Sequence, residues 1–212
     1  MEVEAKLATP RAAVLDGVAA LKRLAGYHLH PGPALDLETL YLDTAERDLM
    51  RAQVAFRSRL TGDGVELTLK EKGSRRGTVH RRPERTWHVE KMPSIPFSPR
   101  PRALWIALEQ WTRGAPLEAL VATRVRRRPI EVRREGVRSA VAEIDLDQVR
   151  FVALPLGTVS RARYEIEVEL RAAGSALDLQ RIVHALRRRF VLTPSPRSKL
   201  EQALRWAKIG SE

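Results

Sequence analysis

The sequence predicts an α+β protein: an antiparallel sheet closed into a barrel with a charged interior, its apolar outer surface covered by amphipathic helices. Three observations carry this. Strand-like alternation of polar and apolar residues recurs at about 1–7, 36–43, 53–60, 65–72, 78–90, 120–134, 138–146, 149–154 and 161–170. In most of these segments one parity collects charge and the other aliphatic side chains. Helical spacing is confined to a stretch after residue 9 and to roughly 101–112, 175–189 and 197–208.

Taken in order, the first strand places Glu2, Glu4 and Lys6 on one face. Thr9 and Pro10 read as the cap and first-turn proline of a helix whose stripe is Val14, Leu15, Val18, Leu21 and Leu24, with Gly26 ending it. Arg57 and Arg59 share a face, and Thr68, Lys70 and Lys72 do the same opposite Val65, Leu67 and Leu69. Pro83 inside 78–90 marks an edge or a bulge, because proline has no N–H for the ladder. Pro93, Pro96, Pro99 and Pro101 form the connection between two similar halves. Trp105 and Trp111 are helix-packing residues, and His28 and His30 flank a loop at Pro31-Gly32.

In the second half the arginine run is dense, and parity with Arg124 and Arg128 selects Arg126 as its inward member. Glu143 pairs by parity with Asp145. Arg161, Arg163, Glu165, Glu167 and Glu169 share one face, with Tyr164, Ile166, Val168 and Leu170 on the other. Ser175 and Asp178 have the spacing of a capping box ahead of Ile182, Val183 and Leu186.

A single such strand is most simply a solvated face of an antiparallel sheet. Repeated down the chain, the pattern points instead to a lined interior. Clustered guanidinium and ammonium groups repel unless an anion sits among them, and arginine matches phosphate oxygens with paired hydrogen bonds. Clustered carboxylates are neutralised by a hard divalent cation with oxygen ligands, Mg²⁺ or Mn²⁺. Bases, acids and metal together make a phosphoryl-transfer site.

The totals agree. With 212 residues and 43% hydrophobic content the chain can bury a sizeable core, read as one domain spanning 1–212. It has no cysteine, which excludes disulfides and zinc-thiolate sites and suits a reducing cytoplasm. No apolar run approaches the ~18 residues of a membrane span. A net charge of +12 implies a polyanionic partner, while 5% aromatic content is thin for the stacking platforms of single-stranded nucleic-acid binders.

The segments Glu2-x-Glu4-x-Lys6, Tyr41-Leu42-Asp43-Thr44, Arg57-x-Arg59, Leu67-Thr68-Leu69-Lys70, Arg82-x-Glu84, Glu143-x-Asp145, Glu165-Ile166-Glu167-Val168-Glu169-Leu170 and Ser198-Lys199 stand in the order of one known family. Together they resemble the CYTH superfamily, the triphosphate tunnel metalloenzymes, over nearly the whole chain. The resemblance implies an eight-stranded antiparallel tunnel barrel holding a triphosphate and a divalent metal, usually Mg²⁺ or Mn²⁺. It implies phosphate binding by Lys6, Arg57, Arg59, Lys70, Arg82, Arg126 and Lys199. Glu2, Glu4, Glu84, Asp145, Glu165, Glu167 and Glu169 match acids of the metal side and the tunnel, and Tyr41 matches a tyrosine linked to hydrolysis. Glu167, Lys70 and Tyr41 are therefore the candidate catalytic residues. Asp147 is a departure, standing where the family often has glycine.

The expected activity is metal-dependent hydrolysis of inorganic tripolyphosphate to pyrophosphate and phosphate. Thiamine triphosphatase, a class IV adenylyl cyclase and a non-catalytic polyphosphate or nucleotide-binding module are the alternatives. The expected partner is a small polyanion rather than nucleic acid or membrane, and a dimer is one possible assembly.

Overall fold

A computed structural model describes residues 1–61, 64–91 and 102–209. The proline cluster from Pro93 to Pro101 lies outside the described residues. The first half holds β1 (Glu2–Thr9), α1 (Ala12–Ala19), β2 (Arg23–Leu24), β3 (Tyr27–Pro31), β4 (Leu35–Thr44), α2 (Asp48–Arg51), β5 (Ala55–Thr61), β6 (Gly64–Lys70), β7 (Ser74–Arg76), β8 (Val79–Arg82) and β9 (Glu84–Val89). The second holds α3 (Arg102–Thr112), β10 (Leu117–Arg133), β11 (Ala140–Ala153), β12 (Arg163–Leu170), α4 (Ala176–Arg189), β13 (Thr193–Pro194) and α5 (Lys199–Ala207).

The sheet is antiparallel and runs β7-β8-β1-β12-β11-β10-β4-β5-β6-β9. Its two ends meet at Pro83. Before that proline the chain pairs with β1, Arg82 opposite Glu2; after it the chain pairs with β6, Glu84 opposite Lys70. The Pro83 carbonyl still accepts from Glu71 N–H at 3.0 Å. Proline contributes no donor, so the wall breaks there and changes partner, and the sheet comes round on itself. With β8 and β9 counted as one broken strand, eight walls enclose the interior.

Outside β10, the parity read from the sequence is the parity observed. Ala5, Leu7, Ile144, Leu146, Ile166 and Val168 turn outward and are buried beneath Val18 of α1 and Ile182 and Leu186 of α4. Phe56, Leu67 and Leu69 turn outward beneath Leu104 and Leu108 of α3. Each fully buried aliphatic side chain of this kind contributes about 1.5–3 kcal/mol. Helix α5 meets the barrel differently: Ala203 and Leu204 pack on Tyr41, Val121, Val125, Val149 and Phe151, which have inward parity. That helix therefore closes one end of the interior.

Local differences from the sequence reading have simple causes. Helix α1 stops at Ala19, and Leu21 reaches the same core from the turn after it and Leu24 from a hairpin, β2–β3. Its two-residue turn, Ala25-Gly26, has φ of 51° and 86°, the left-handed pair that a tight hairpin requires. Thr9 belongs to β1, and its hydroxyl accepts from Arg11 N–H at 3.4 Å while Arg11 occupies the cap position. His28 and His30 lie on β3 rather than in a loop. The segments 138–146 and 149–154 form one strand, β11, because the polar Asp147 has partners inside the barrel and no turn is needed there. The Ser175 capping box forms as expected.

Candidate active site

The inward parities converge on a cavity of ≈ 460 Å³. Strand β1 supplies Glu2, Glu4 and Lys6; β4 and β5 supply Tyr41, Arg57 and Arg59; β6, β8 and β9 supply Glu66, Lys70, Arg82 and Glu84. Arg127 enters from β10, Glu167 and Glu169 from β12, Arg171 from just beyond it, and Lys199 from the first turn of α5. A capping box between Ser198 and Glu201 fixes that turn, so Lys199 is delivered by a rigid helix start.

Two regions differ sharply. Around Glu167 every cation is closely matched. Lys6 Nζ lies 2.8 Å from Glu167 and 3.2 Å from Glu4. Lys199 Nζ lies 2.7 Å from Glu167, 3.0 Å from Asp147 and 3.6 Å from Glu165. Arg127 reaches Asp145 at 2.5 Å and Glu167 at 3.0 Å, and grips both oxygens of Asp147 at 2.8 and 2.7 Å. Burial opposes ionisation of Glu167, yet Lys199, Lys6 and Arg127 outweigh it and hold the carboxyl well below its usual range. Burial likewise disfavours the charge on Lys6 and Lys199, but the carboxylates prevail and raise both.

On the wall built by β4, β5 and β6 the matching is loose. Arg57 finds Glu66 at 3.4 Å and Glu84 only at 3.9 Å, while its Nε is buried with no hydrogen-bond partner among the described residues. Arg59 has Glu66 at 3.8 Å and donates from Nε to the Thr39 hydroxyl at 3.2 Å. Burial, then the positive charges of Arg57 and Arg127, push the Arg59 guanidinium down to about 10. Lys70 is lowered by the same causes, burial first and then Arg57 and Arg82, although it touches Glu2 at 2.8 Å and Glu84 at 2.9 Å.

A third group forms one mouth. Glu2 is held by Lys70 and by Arg82 Nε at 2.7 Å, and Glu4 by Arg82 Nη2 at 3.1 Å. Burial would raise the Glu2 carboxyl, but these two cations hold it well below its usual range. Glu169 faces Glu4 across the β1–β12 pair and is raised, first by burial and then by Glu2 and Glu4 against the opposing pull of Arg171. Arg171 binds Glu169 at 2.9 Å and Glu143 at 2.6 Å.

Glu2, Glu4 and Glu169 are the acids whose chemistry fits a hard divalent cation: an all-oxygen set at the cavity surface whose members repel one another. In the present arrangement Lys70, Arg82 and Arg171 occupy those oxygens, and no three acidic or histidine side chains converge at ligand spacing among the described residues.

Of the residues expected from the sequence, Glu2, Glu4, Lys6, Tyr41, Arg57, Arg59, Lys70, Arg82, Glu84, Glu167, Glu169 and Lys199 line this cavity. Asp145 and Glu165 sit behind it, Asp145 on Arg127 and Glu165 on Gln202 Nε2 at 2.6 Å. Arg126 is corrected. It is exposed on the outer face, opposite Asp36 and Gln148, and the inward arginine is Arg127. Ile130 and Val132 carry the signal that decides this: their aliphatic side chains bury in the outer core, so the even parity of β10 faces out and Arg127 must face in. Sequence reasoning also missed Glu66, Arg171 and Gln202. Glu66 shares parity with Thr68 and Lys70, and Arg171 continues the parity of Glu165, Glu167 and Glu169, so both were readable; Gln202, on a helix, left no such signal.

The interior is not the seat of the chain's positive charge. Eight cations (Lys6, Arg57, Arg59, Lys70, Arg82, Arg127, Arg171, Lys199) meet ten carboxylates (Glu2, Glu4, Glu66, Glu84, Glu143, Asp145, Asp147, Glu165, Glu167, Glu169). Among the described residues six of these acids line the cavity and Glu143, Asp145, Asp147 and Glu165 stand behind it, so the interior holds little of the chain's net charge of +12.

The family model of the CYTH domain matches residues 1–199. No curated protein matches the chain. Among solved structures, it is similar to a candidate adenylyl cyclase from Hippeastrum with a dominant triphosphatase activity, at TM-score 0.65 and 18% identity over 97% of this chain and 96% of that one. A candidate adenylate cyclase from Bacillus halodurans aligns at TM-score 0.58 and 15% identity, covering 95% and 96%. The Mimivirus capping enzyme triphosphatase aligns at TM-score 0.54 and 11% identity, covering 88% of each chain. At such identities the structures share the fold alone. The family model spans almost the whole length, and the charged tunnel barrel agrees with it: the chain belongs to the CYTH domain family.

Proposed function

We propose that this protein is a triphosphatase that hydrolyses inorganic tripolyphosphate to pyrophosphate and phosphate in the tunnel, with residues 1–212 acting as one cytoplasmic domain. The observation that carries this reading is the Arg57–Arg59 wall. Two partly buried guanidiniums stand side by side with too little negative charge, one with an orphaned Nε and the other depressed to about 10. A polyphosphate chain supplies the missing charge and the acceptor oxygens together.

In this reading Arg57, Arg59 and Lys70 hold the phosphate chain, and Lys6, Arg82, Arg127 and Lys199 extend the positive lining along it. Tyr41, opposite Arg57 on the neighbouring strand, offers its hydroxyl to a phosphate oxygen. Glu2, Glu4 and Glu169 would hold Mg²⁺ or Mn²⁺, which supplies further neutralisation of the phosphate charge when bound. Water attacks the terminal phosphorus in line and pyrophosphate leaves. Glu167 is a poor proton acceptor with three cations upon it; its part is to fix Lys6, Arg127 and Lys199. Catalysis then rests on positioning and charge neutralisation.

One observation favours an organic triphosphate as a second reading. A neighbouring hollow of ≈ 590 Å³ shares Ala55, Lys70, Arg82, Ser198 and Leu200 with the tunnel and adds the apolar Met50, Val54, Leu204 and Ile209. An aromatic group on a triphosphate would fit there. Phosphate release from tripolyphosphate, thiamine triphosphate and ATP, each with Mg²⁺, with Mn²⁺ and with chelator, tests both readings. Turnover of tripolyphosphate alone supports the first, preference for an organic substrate supports the second, and no release from any of them rejects the triphosphatase.

A further inference from the structure

Most of the excess positive charge has to be sought on the outer surface, since the cations of the tunnel are nearly all matched by acids in or behind its lining. Two arginine-rich surfaces compare directly. On the outer face of β10, Arg124 is bound to Glu38 at 2.6 Å and Arg128 to Asp16 at 3.0 Å. Along α4, Arg181, Arg187, Arg188 and Arg189 are all exposed, and none pairs with a carboxylate among the described residues. The one acid of that helix, Asp178, is buried and committed to Tyr27, Ser175 and Arg134. A cation in the last helical turn is favoured by the helix dipole, which accounts for one or two of Arg187, Arg188 and Arg189, while Arg181 stands against the Tyr27 hydroxyl.

The same helix borders an outer groove of ≈ 750 Å³ whose floor is apolar. Val79, Leu179, Val183 and Leu192 line it, and Val191 stands 74% exposed at its rim beside Arg187–Arg189. Phe190 is not available for stacking on a base, because its ring packs against Gly17 of α1. An apolar floor with an uncompensated basic rim and no free aromatic suits an acidic amphipathic peptide better than RNA.

We propose that the α4 groove docks an acidic segment of another protein, its leucine or valine side chains on the apolar floor and its carboxylates on Arg187, Arg188 and Arg189. The partner's charge complements a rim that the fold itself leaves unpaired. This surface is separate from the tunnel, so its occupancy does not depend on which triphosphate the tunnel takes.

The test uses the full chain at physiological ionic strength, with fluorescence anisotropy of three probes: a labelled peptide of glutamates interspersed with leucines, an all-glutamate peptide of equal charge, and an RNA oligomer of equal length. The leucine-containing peptide should bind most tightly. The triple change Arg187→Glu, Arg188→Glu and Arg189→Glu should weaken it about tenfold or more, and Val191→Asp severalfold. Arg124→Glu with Arg126→Glu, and separately Arg57→Ala, should leave it unchanged, with melting curves confirming that each variant folds. Equal or tighter binding of RNA, no loss in either α4 variant, or an equal loss from the β10 pair would each overturn the proposal.

Discussion

The two sides of the tunnel solve the same electrostatic problem in opposite ways. On the β1–β12–β11 side, Lys6, Arg127 and Lys199 share Glu4, Asp145, Asp147, Glu165 and Glu167 at separations mostly near 3 Å, and every cation is compensated inside the protein. On the β5–β6 side, Arg57 and Arg59 share Glu66 at 3.4 and 3.8 Å, and the balance is left to something else. The first arrangement is scaffolding. In the proposed function the second is the binding surface, where an anionic ligand supplies the charge that Glu66 alone does not.

The largest effect should come from breaking the matched side. Arg127→Ala would leave Asp145, Asp147 and part of Glu167 buried without their guanidinium, a loss of about 3–5 kcal/mol in urea unfolding. Arg57→Ala removes a group that is itself under-neutralised, so stability should hold or rise slightly. If Arg57→Ala destabilised the fold as much as Arg127→Ala, the contrast between the sides would be lost. Activity should run the other way: Arg57→Ala or Arg59→Ala should lower kcat/KM for tripolyphosphate about 100-fold, the scale for removing one charge-stabilising donor.

A second effect sharpens the matched side further. Burial, and then Asp147 and Glu167 against the pull of Arg127, raise the Asp145 carboxyl to about 7 from an ordinary 3.8. The folded state therefore holds this proton more tightly than the unfolded state, and stability falls as pH rises from about 4 to about 7. Asp145→Asn should remove that fall, stabilising the protein at pH 8 by on the order of 4 kcal/mol while changing little at pH 4. A variant whose stability at pH 8 equals the parent's would show that ionising Asp145 in the folded state costs nothing and that its carboxyl is not raised. The smallest effect belongs to Arg126→Ala, which lies outside and should change stability by less than about 0.5 kcal/mol and activity not at all.

Much of this was legible in the sequence, because parity on a strand translates directly into inside and outside. Glu2, Glu4, Lys6, Arg57, Arg59 and Lys70 sit opposite continuous aliphatic sets, and they line the cavity as that pattern requires. Reading failed where local signals competed. The arginine run from 124 to 128 offered no polarity contrast of its own, so Arg126 was chosen over Arg127 although Ile130 and Val132 held the answer. Asp147 looked like an interruption of β11, since only the fold reveals that Arg127 and Lys199 wait opposite it. The meeting of β8 and β9 at Pro83 was half legible: proline announced a break, but not that the break closes the barrel.

The most direct test of the central claim, that the Arg57–Arg59 wall is the anion site, is the tripolyphosphate-induced shift in melting temperature without added metal. Ligand at a hundredfold excess over Kd adds about 2.7 kcal/mol to the folded state. For a domain of this size that corresponds to roughly 5–10 °C, and pyrophosphate should give less. The account predicts this rise in the parent and its loss in the double variant Arg57→Ala, Arg59→Ala. A parent indifferent to tripolyphosphate, or a double variant that keeps the full rise, would contradict it.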